Sequence, residues 1–281
     1  MHITDNMNFQ SKISEISTEN NSLLCIGLDS DINKIPFHIK GTDNPQYNFN
    51  KAIIEATHDL VCAYKPNSAF YEAQGEEGIR QLKQTVYFVK ENYPKIPVIL
   101  DAKRADIGNT NEGYVKFAFD HLGADAITLH PYLGKDALKP FLERRDKGLF
   151  ILCRTSNSGA GEFQDLEIDG KPLYQVIAAK VAKDWNYNGN CGLVVGATYP
   201  KELDIVRHIV GNIPILIPGI GAQGGDLEKT VQAGVDKTGL NALINSSRGI
   251  IFASTGVNFA EKAREEALKL KNLINKQRRS K

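Results

Sequence analysis

Eight short, mostly apolar runs recur along the chain, at residues 23–28, 60–64, 96–100, 126–129, 149–153, 192–195, 213–217 and 242–244. Stretches with helical spacing lie between most of them, at 51–57, 78–92, 113–122, 172–184, 201–210 and 227–233. A run that is apolar at consecutive positions is a strand covered on both faces, and such strands belong to parallel sheets flanked by helices. Strand and helix alternating eight times therefore predict an α/β fold whose sheet closes into a (β/α)8 TIM barrel. An open doubly wound sheet is the competing arrangement. It usually carries fewer strands and a glycine-rich turn after the first one, and Gly27-Leu28-Asp29-Ser30 is no such turn.

A chain of 281 residues suits one barrel, so a single catalytic domain is expected over 22–275. A leading segment, 1–21, precedes it, an amphipathic helix over 258–275 completes it, and a basic tail, 276–281, follows. The 34 basic residues nearly cancel the 33 acidic ones, which gives no reason to expect a nucleic-acid surface. Cys25, Cys62, Cys153 and Cys191 are widely spaced and each lies in an apolar run, the pattern of reduced core thiols in a cytoplasmic protein. The leading segment has no apolar signal core and no run approaches eighteen apolar residues, so neither secretion nor membrane insertion is expected.

In a barrel the chemistry sits at the C-terminal ends of the strands. The third run delivers the densest charge, Asp101-Ala102-Lys103-Arg104-Ala105-Asp106, followed by Ile107, Gly108, Asn109 and Thr110. On a regular strand Asp101 and Lys103 share one face while Ala102 and Arg104 take the other. A surface salt-bridge cluster is the plain reading of Asp-x-Lys, but charges at the mouth of a buried strand cost several kcal/mol of desolvation unless they form a site. The first run ends in Asp29, a helix N-cap or a ligand contact. The second ends in Lys65, with Asn67 on the same face; a lysine closing an apolar strand needs a carboxylate, and Asp101 is the natural one.

Later strand ends are more polar than charged. His130 closes the fourth run, where packing or a backbone hydrogen bond accounts for it. After the fifth run, 154–161 reads R-T-S-N-S-G-A-G, suited to hydrogen-bonding a flat polar ring or equally to an ordinary loop, and 161–171 reads as a surface excursion. Glycines at 219, 221, 224 and 225 surround Gln223, and Ser247-Arg248-Gly249 follows one strand later. Barrels commonly hold phosphate with the loops after strands seven and eight.

Taken in order, G-L-D, Y-K-P-N, D-A-K-R-A-D-I-G-N-T, G-A-T-Y-P, P-G-I-G-A-Q-G-G-D and S-S-R-G resemble the motifs of the orotidine 5'-phosphate decarboxylases, in the branch with a Lys-Arg pair inside the charged motif. The resemblance runs from about residue 24 to 251; the leading segment and the excursion depart from it. It implies decarboxylation of orotidine 5'-phosphate to uridine 5'-phosphate in pyrimidine synthesis, with no cofactor and no metal. It implies that Lys65, Asp101, Lys103 and Asp106 form the charged catalytic array and that Asp29 binds the ribose. Ser156 would meet the pyrimidine, while Gln223 and Arg248, with nearby backbone amides such as that of Ser247, would hold the phosphate. Asp106, Ile107 and Thr110 would serve the neighbouring subunit's site, making the unit a homodimer. Competing readings are a phosphosugar barrel, either a Mg2+-dependent decarboxylase or an aldolase forming a Schiff base through Lys103, and a non-catalytic nucleotide-binding barrel.

Overall fold

The computed structural model describes residues 8–220 and 226–278. Its strands are β1 (Leu24–Gly27), β2 (Ala63–Lys65), β3 (Ile99–Arg104), β4 (Ala126–Leu129), β5 (Gly148–Arg154), β6 (Glu167–Ile168), β7 (Lys171–Pro172), β8 (Cys191–Val195), β9 (Ile215–Pro218) and β10 (Ala242–Ser246). Eight of them form one parallel sheet in the order β2-β1-β10-β9-β8-β5-β4-β3. Parallel bridges Tyr64↔Val98 and Asn67↔Asp101 join its two ends, so the sheet curls into a (β/α)8 barrel. β6 and β7 pair separately as an antiparallel hairpin in the excursion after β5.

The eight apolar runs all become barrel strands, with two instructive shifts. β2 starts at Ala63, because residues 58–60 wind into a 3-10 turn. β3 continues through its charged residues to Arg104, beyond the apolar run that announces it. The helix before β2 begins at Pro45, a residue whose fixed φ suits the first helical turn, and reaches Thr57. The helices begun at Gly108 and Leu173 each finish in a wider π turn, Lys116–His121 and Val181–Trp185.

The segment ahead of β1 is not merely polar. Asn8 caps a helix, Phe9–Glu19, by accepting the Ser11 N–H. Phe9, Ile13 and Ile16 recur at helical spacing and are buried in the same hydrophobic core as the strands. The Phe9 ring meets Phe150 edge-on at 5.7 Å between centroids. A Cβ at Gly148 would lie 2.3 Å from that ring, which explains glycine at the foot of β5. Lys12 pairs with Asp125 at 2.7 Å, and Asp125 also accepts the Val98 N–H, so the helix is tied across the N-terminal end of the barrel.

At the other end of the chain the helix Phe259–Arg278 extends beyond the expected 258–275, and its Asn275 donates to the Asn21 carbonyl. All four cysteines are buried and free, and burial pushes the thiols of Cys62, Cys153 and Cys191 up to about 12. Among the described residues no helix is long and apolar enough to cross a membrane. Because Phe9 seals the foot of the barrel, Phe9→Ala is expected to lower the unfolding free energy by about 3–5 kcal/mol. Urea denaturation checks this, and an unchanged midpoint would mean that the helix adds nothing to the barrel.

Candidate active site

The site is built around a local irregularity in β3. Its register with β4 runs Ile99↔Ala126 and Leu100↔Ile127, then resumes at Arg104↔Leu129. Asp101, Ala102 and Lys103 thus face Thr128 alone, and Lys103 adopts φ +47°, the left-handed region. A non-glycine residue there costs about 1–2 kcal/mol. The simple alternation expected from the sequence is therefore replaced by a bulge. Two contacts hold it: the Lys103 N–H donates to Thr128 Oγ1 at 2.9 Å, and Lys103 Nζ donates to Asp101 Oδ1 at 2.7 Å.

Asp101 collects four donors. Oδ1 also accepts the Thr128 hydroxyl at 2.8 Å, while Oδ2 accepts Lys65 Nζ at 2.9 Å and Asn67 Nδ2 at 3.3 Å. Burial alone would raise its pKa, but Lys65 and Lys103 outweigh burial and hold the carboxyl well below the usual carboxylate range. Burial alone would likewise lower the pKa of Lys65, which is 3% exposed; Asp101 and Asp29 outweigh it and keep the ammonium above the ordinary lysine value. Asp29 Oδ1 lies 3.9 Å from Lys65 Nζ and, among the described residues, is buried without a hydrogen-bond partner.

These groups form one wall of a cavity of about 520 Å³ at the C-terminal mouth of the barrel. Asp29, Lys65, Asn67, Asp101 and Lys103 line it, and Ser156, Ser247 and Arg248 line it from other strand ends. Ser247 donates to the Gly27 carbonyl at 3.1 Å, and Arg248 opens the short helix Arg248–Ile251. A Cβ at Gly27 would fall 2.7 Å from that of Ser247, and one at Gly196 would fall 2.6 Å from that of Ser156. The glycines of G-L-D and G-A-T-Y-P therefore let neighbouring strand ends close on the cavity.

Asp106, Ile107 and Thr110 do not line their own chain's cavity. Asp106 turns its carboxylate back onto the Ile107 N–H, while Ile107 is 65% exposed and Thr110 is exposed. Gln223 falls outside the described residues. Thr128 is the contributor that the sequence reading passed over. Its signal is slight, a single hydroxyl in the apolar run A-I-T-L, and its importance depends on the bulge opposite. Arg154, read as part of a polar loop, is instead buried; its guanidinium lies 4.0 Å over the Tyr199 ring and pairs with Asp165.

Asp101 sets an acid limit on stability. Its folded pKa lies below the unfolded value of about 3.9, so its contribution is complete above that value and is lost as pH falls through the folded pKa. Thermal unfolding of wild type and Asp101→Asn should show a stability gap that is constant at pH 5–7 and narrows below about pH 4. A gap that widens towards acid would contradict the pairing.

A family model described as Orotidine 5'-phosphate decarboxylase / HUMPS family matches residues 22–263. The orotidine 5'-phosphate decarboxylase of Ralstonia pickettii is 50% identical over 269 residues, which is 96% of this chain and 98% of that relative. Among solved structures, the OMP decarboxylase of Leishmania donovani is similar with a TM-score of 0.82 and 39% identity, covering 96% of this chain and 99% of that one. The UMP synthase of the same organism gives a TM-score of 0.87 and 41% identity over 97% of this chain but 57% of its own, so the present chain spans little more than half of that longer protein. By the family model, by identity across nearly its whole length and by its barrel, the chain belongs to the orotidine 5'-phosphate decarboxylase / HUMPS family.

Proposed function

We propose that the chain decarboxylates orotidine 5'-phosphate to uridine 5'-phosphate, a step of pyrimidine synthesis. The observation that carries the reading is the Asp101 carboxylate held between the Lys65 and Lys103 ammonium groups at the wall of the cavity. Loss of CO2 breaks the bond to carbon 6 of the ring and leaves its electron pair there, with no cofactor sink to disperse it. Lys103 stabilises that pair electrostatically and then donates an N–H proton to carbon 6; the resulting amine regains a proton from water. Asp101 adds repulsion towards the substrate carboxylate, roughly 4 kcal/mol for like charges ~4 Å apart at an effective dielectric of ~20.

Roles for the other residues follow the same reading. Asp29, which lines the cavity, accepts a ribose hydroxyl, and Asn67 supports it from the same wall. Ser156 hydrogen-bonds the ring, while Arg248, the Ser247 amide and Gln223 hold the phosphate, whose binding energy orders the site. Lys65 places its ammonium between Asp29 and Asp101, where a divalent cation would need both carboxylates; this favours metal-free chemistry over a Mg2+-dependent phosphosugar reaction. Asp106, Ile107 and Thr110, turned away from their own cavity, complete the site of a second copy in a homodimer. Buried reduced thiols fit a cytoplasmic location.

With EDTA present, wild type is expected to remove orotidine 5'-phosphate absorbance rapidly and Lys103→Ala at least about a hundredfold more slowly. No loss by folded, dimeric wild type would overturn the assignment. For the shared site, mixing the inactive Lys103→Ala and Asp106→Ala proteins should recover about a quarter of wild-type activity, since half the dimers are hybrids with one intact site each. No recovery despite verified subunit exchange would place Asp106 in its own chain's site or outside the chemistry.

A further inference from the structure

Between β5 and the helix Leu173–Lys180 the chain makes an excursion that closure of the barrel does not require: the short helix Gly161–Gln164, then Asp165 and the β6–β7 hairpin. It is anchored from below. Arg154, at the end of β5, is 3% exposed, and a guanidinium so buried needs a fixed acceptor. Its Nη2 donates to Asp165 Oδ2 at 3.0 Å, its Nε lies 3.0 Å from Oδ1, and its plane rests on the Tyr199 ring. A Cβ at Gly161 would fall 2.8 Å from Asp165 Oδ2, so glycine there leaves the carboxylate room to fold back.

The neighbour of Asp165 reaches the cavity. Gln164 lines it, and its amide is committed twice to one residue: Oε1 accepts the Thr155 N–H at 2.8 Å, and Nε2 donates to Thr155 Oγ1 at 2.9 Å. The Thr155 hydroxyl in turn donates to Asn157 Oδ1 at 2.6 Å. Thr155, Ser156 and Asn157 therefore stand on the same cavity wall in a fixed hydrogen-bond order. Leu152, Val194 and Leu216 add apolar surface to that cavity, suited to the face of a flat ring, whereas Arg248, next to Ser247, supplies a cationic end.

We infer that Asp165 and Gln164 are positioning residues for base recognition: Arg154 fixes Asp165 and its Nη1 also donates to Gln164 Oε1 at 3.5 Å, and Gln164 holds the 155–157 wall against the polar edge of the pyrimidine. The inference rests on the decarboxylase reading. A pyrimidine edge alternates carbonyls with an N–H, and a wall that reads it gains from being ordered before the ligand arrives. Ribose and phosphate, held elsewhere in the cavity, do not depend on this chain of contacts.

The test uses the full chain with Gln164→Leu, Asp165→Asn and Asp165→Glu, titrated calorimetrically with uridine 5'-phosphate and with ribose 5-phosphate. Gln164→Leu and Asp165→Asn are expected to weaken uridine 5'-phosphate roughly tenfold and to leave ribose 5-phosphate within about twofold of wild type. Asp165→Glu, which keeps the charge for Arg154, should recover most of the loss. Equal weakening of both ligands, or wild-type affinity for uridine 5'-phosphate, would overturn the inference while wild-type turnover still supported the decarboxylase. A wild type that neither binds uridine 5'-phosphate nor consumes orotidine 5'-phosphate would remove both readings together.

Discussion

One carboxylate joins the architecture to the chemistry. Between β2 and β3 the barrel is closed by isolated bridges rather than a continuous ladder, and Asp101 sits on that seam. Its backbone N–H donates to the Pro66 carbonyl and its own carbonyl accepts the Ser68 N–H, while its side chain reaches across to Lys65. Burying an ion costs several kcal/mol, and the attraction of a partner offsets that only when the remaining lone pairs are also satisfied. Asp101 meets the condition with two donors on each oxygen: Lys103 and Thr128 on one, Lys65 and Asn67 on the other. The seam and the charged array are thus one structure, and weakening either disturbs the other.

The same carboxylate accounts for the backbone around it. Two side chains on one face of a regular strand stand about 7 Å apart along it, too far to guarantee a direct bond. The bulge and the left-handed Lys103 draw the ammonium onto Asp101 Oδ1 and present the Lys103 amide to Thr128. Strain of this kind persists where surrounding contacts over-determine it. Here two contacts do so, and they converge on Asp101 and Thr128.

How much of this is legible before folding depends on the range of the interaction. Strand runs such as 126–129 and 149–153 are local patterns of apolar residues, and they emerge as β4 and β5 with little change. The pairing of Lys65 with Asp101 is also legible, since a lysine and an aspartate ending successive buried strands have few other solutions. Thr128 escapes because a lone threonine in a strand has no periodic signature and acquires its role only opposite a bulge that the sequence does not announce. The helix Phe9–Glu19 escapes for another reason: three apolar residues among polar ones look weak until Gly148 opens a place for Phe9. Arg154 misleads in the opposite direction, since an arginine heading a polar loop reads as exposed, and its partner Asp165 lies eleven residues on, beyond a turn whose fold the sequence leaves open.

The charge balance of the array bears on what the site is built to do. Within one chain Asp29 and Asp101 against Lys65 and Lys103 sum to zero, so that chain's wall presents alternating charge rather than a net field. In the proposed reaction the substrate also keeps its total charge until protonation: the negative charge leaves the carboxylate and appears on carbon 6. A wall that stabilises such a displacement needs a negative group where the charge departs and a positive one where it arrives, with both fixed beforehand. Asp101 and Lys103, 2.7 Å apart and braced by Thr128, have that order. A single buried cation would instead hold the substrate carboxylate itself, and so stabilise the ground state at the expense of the transition state.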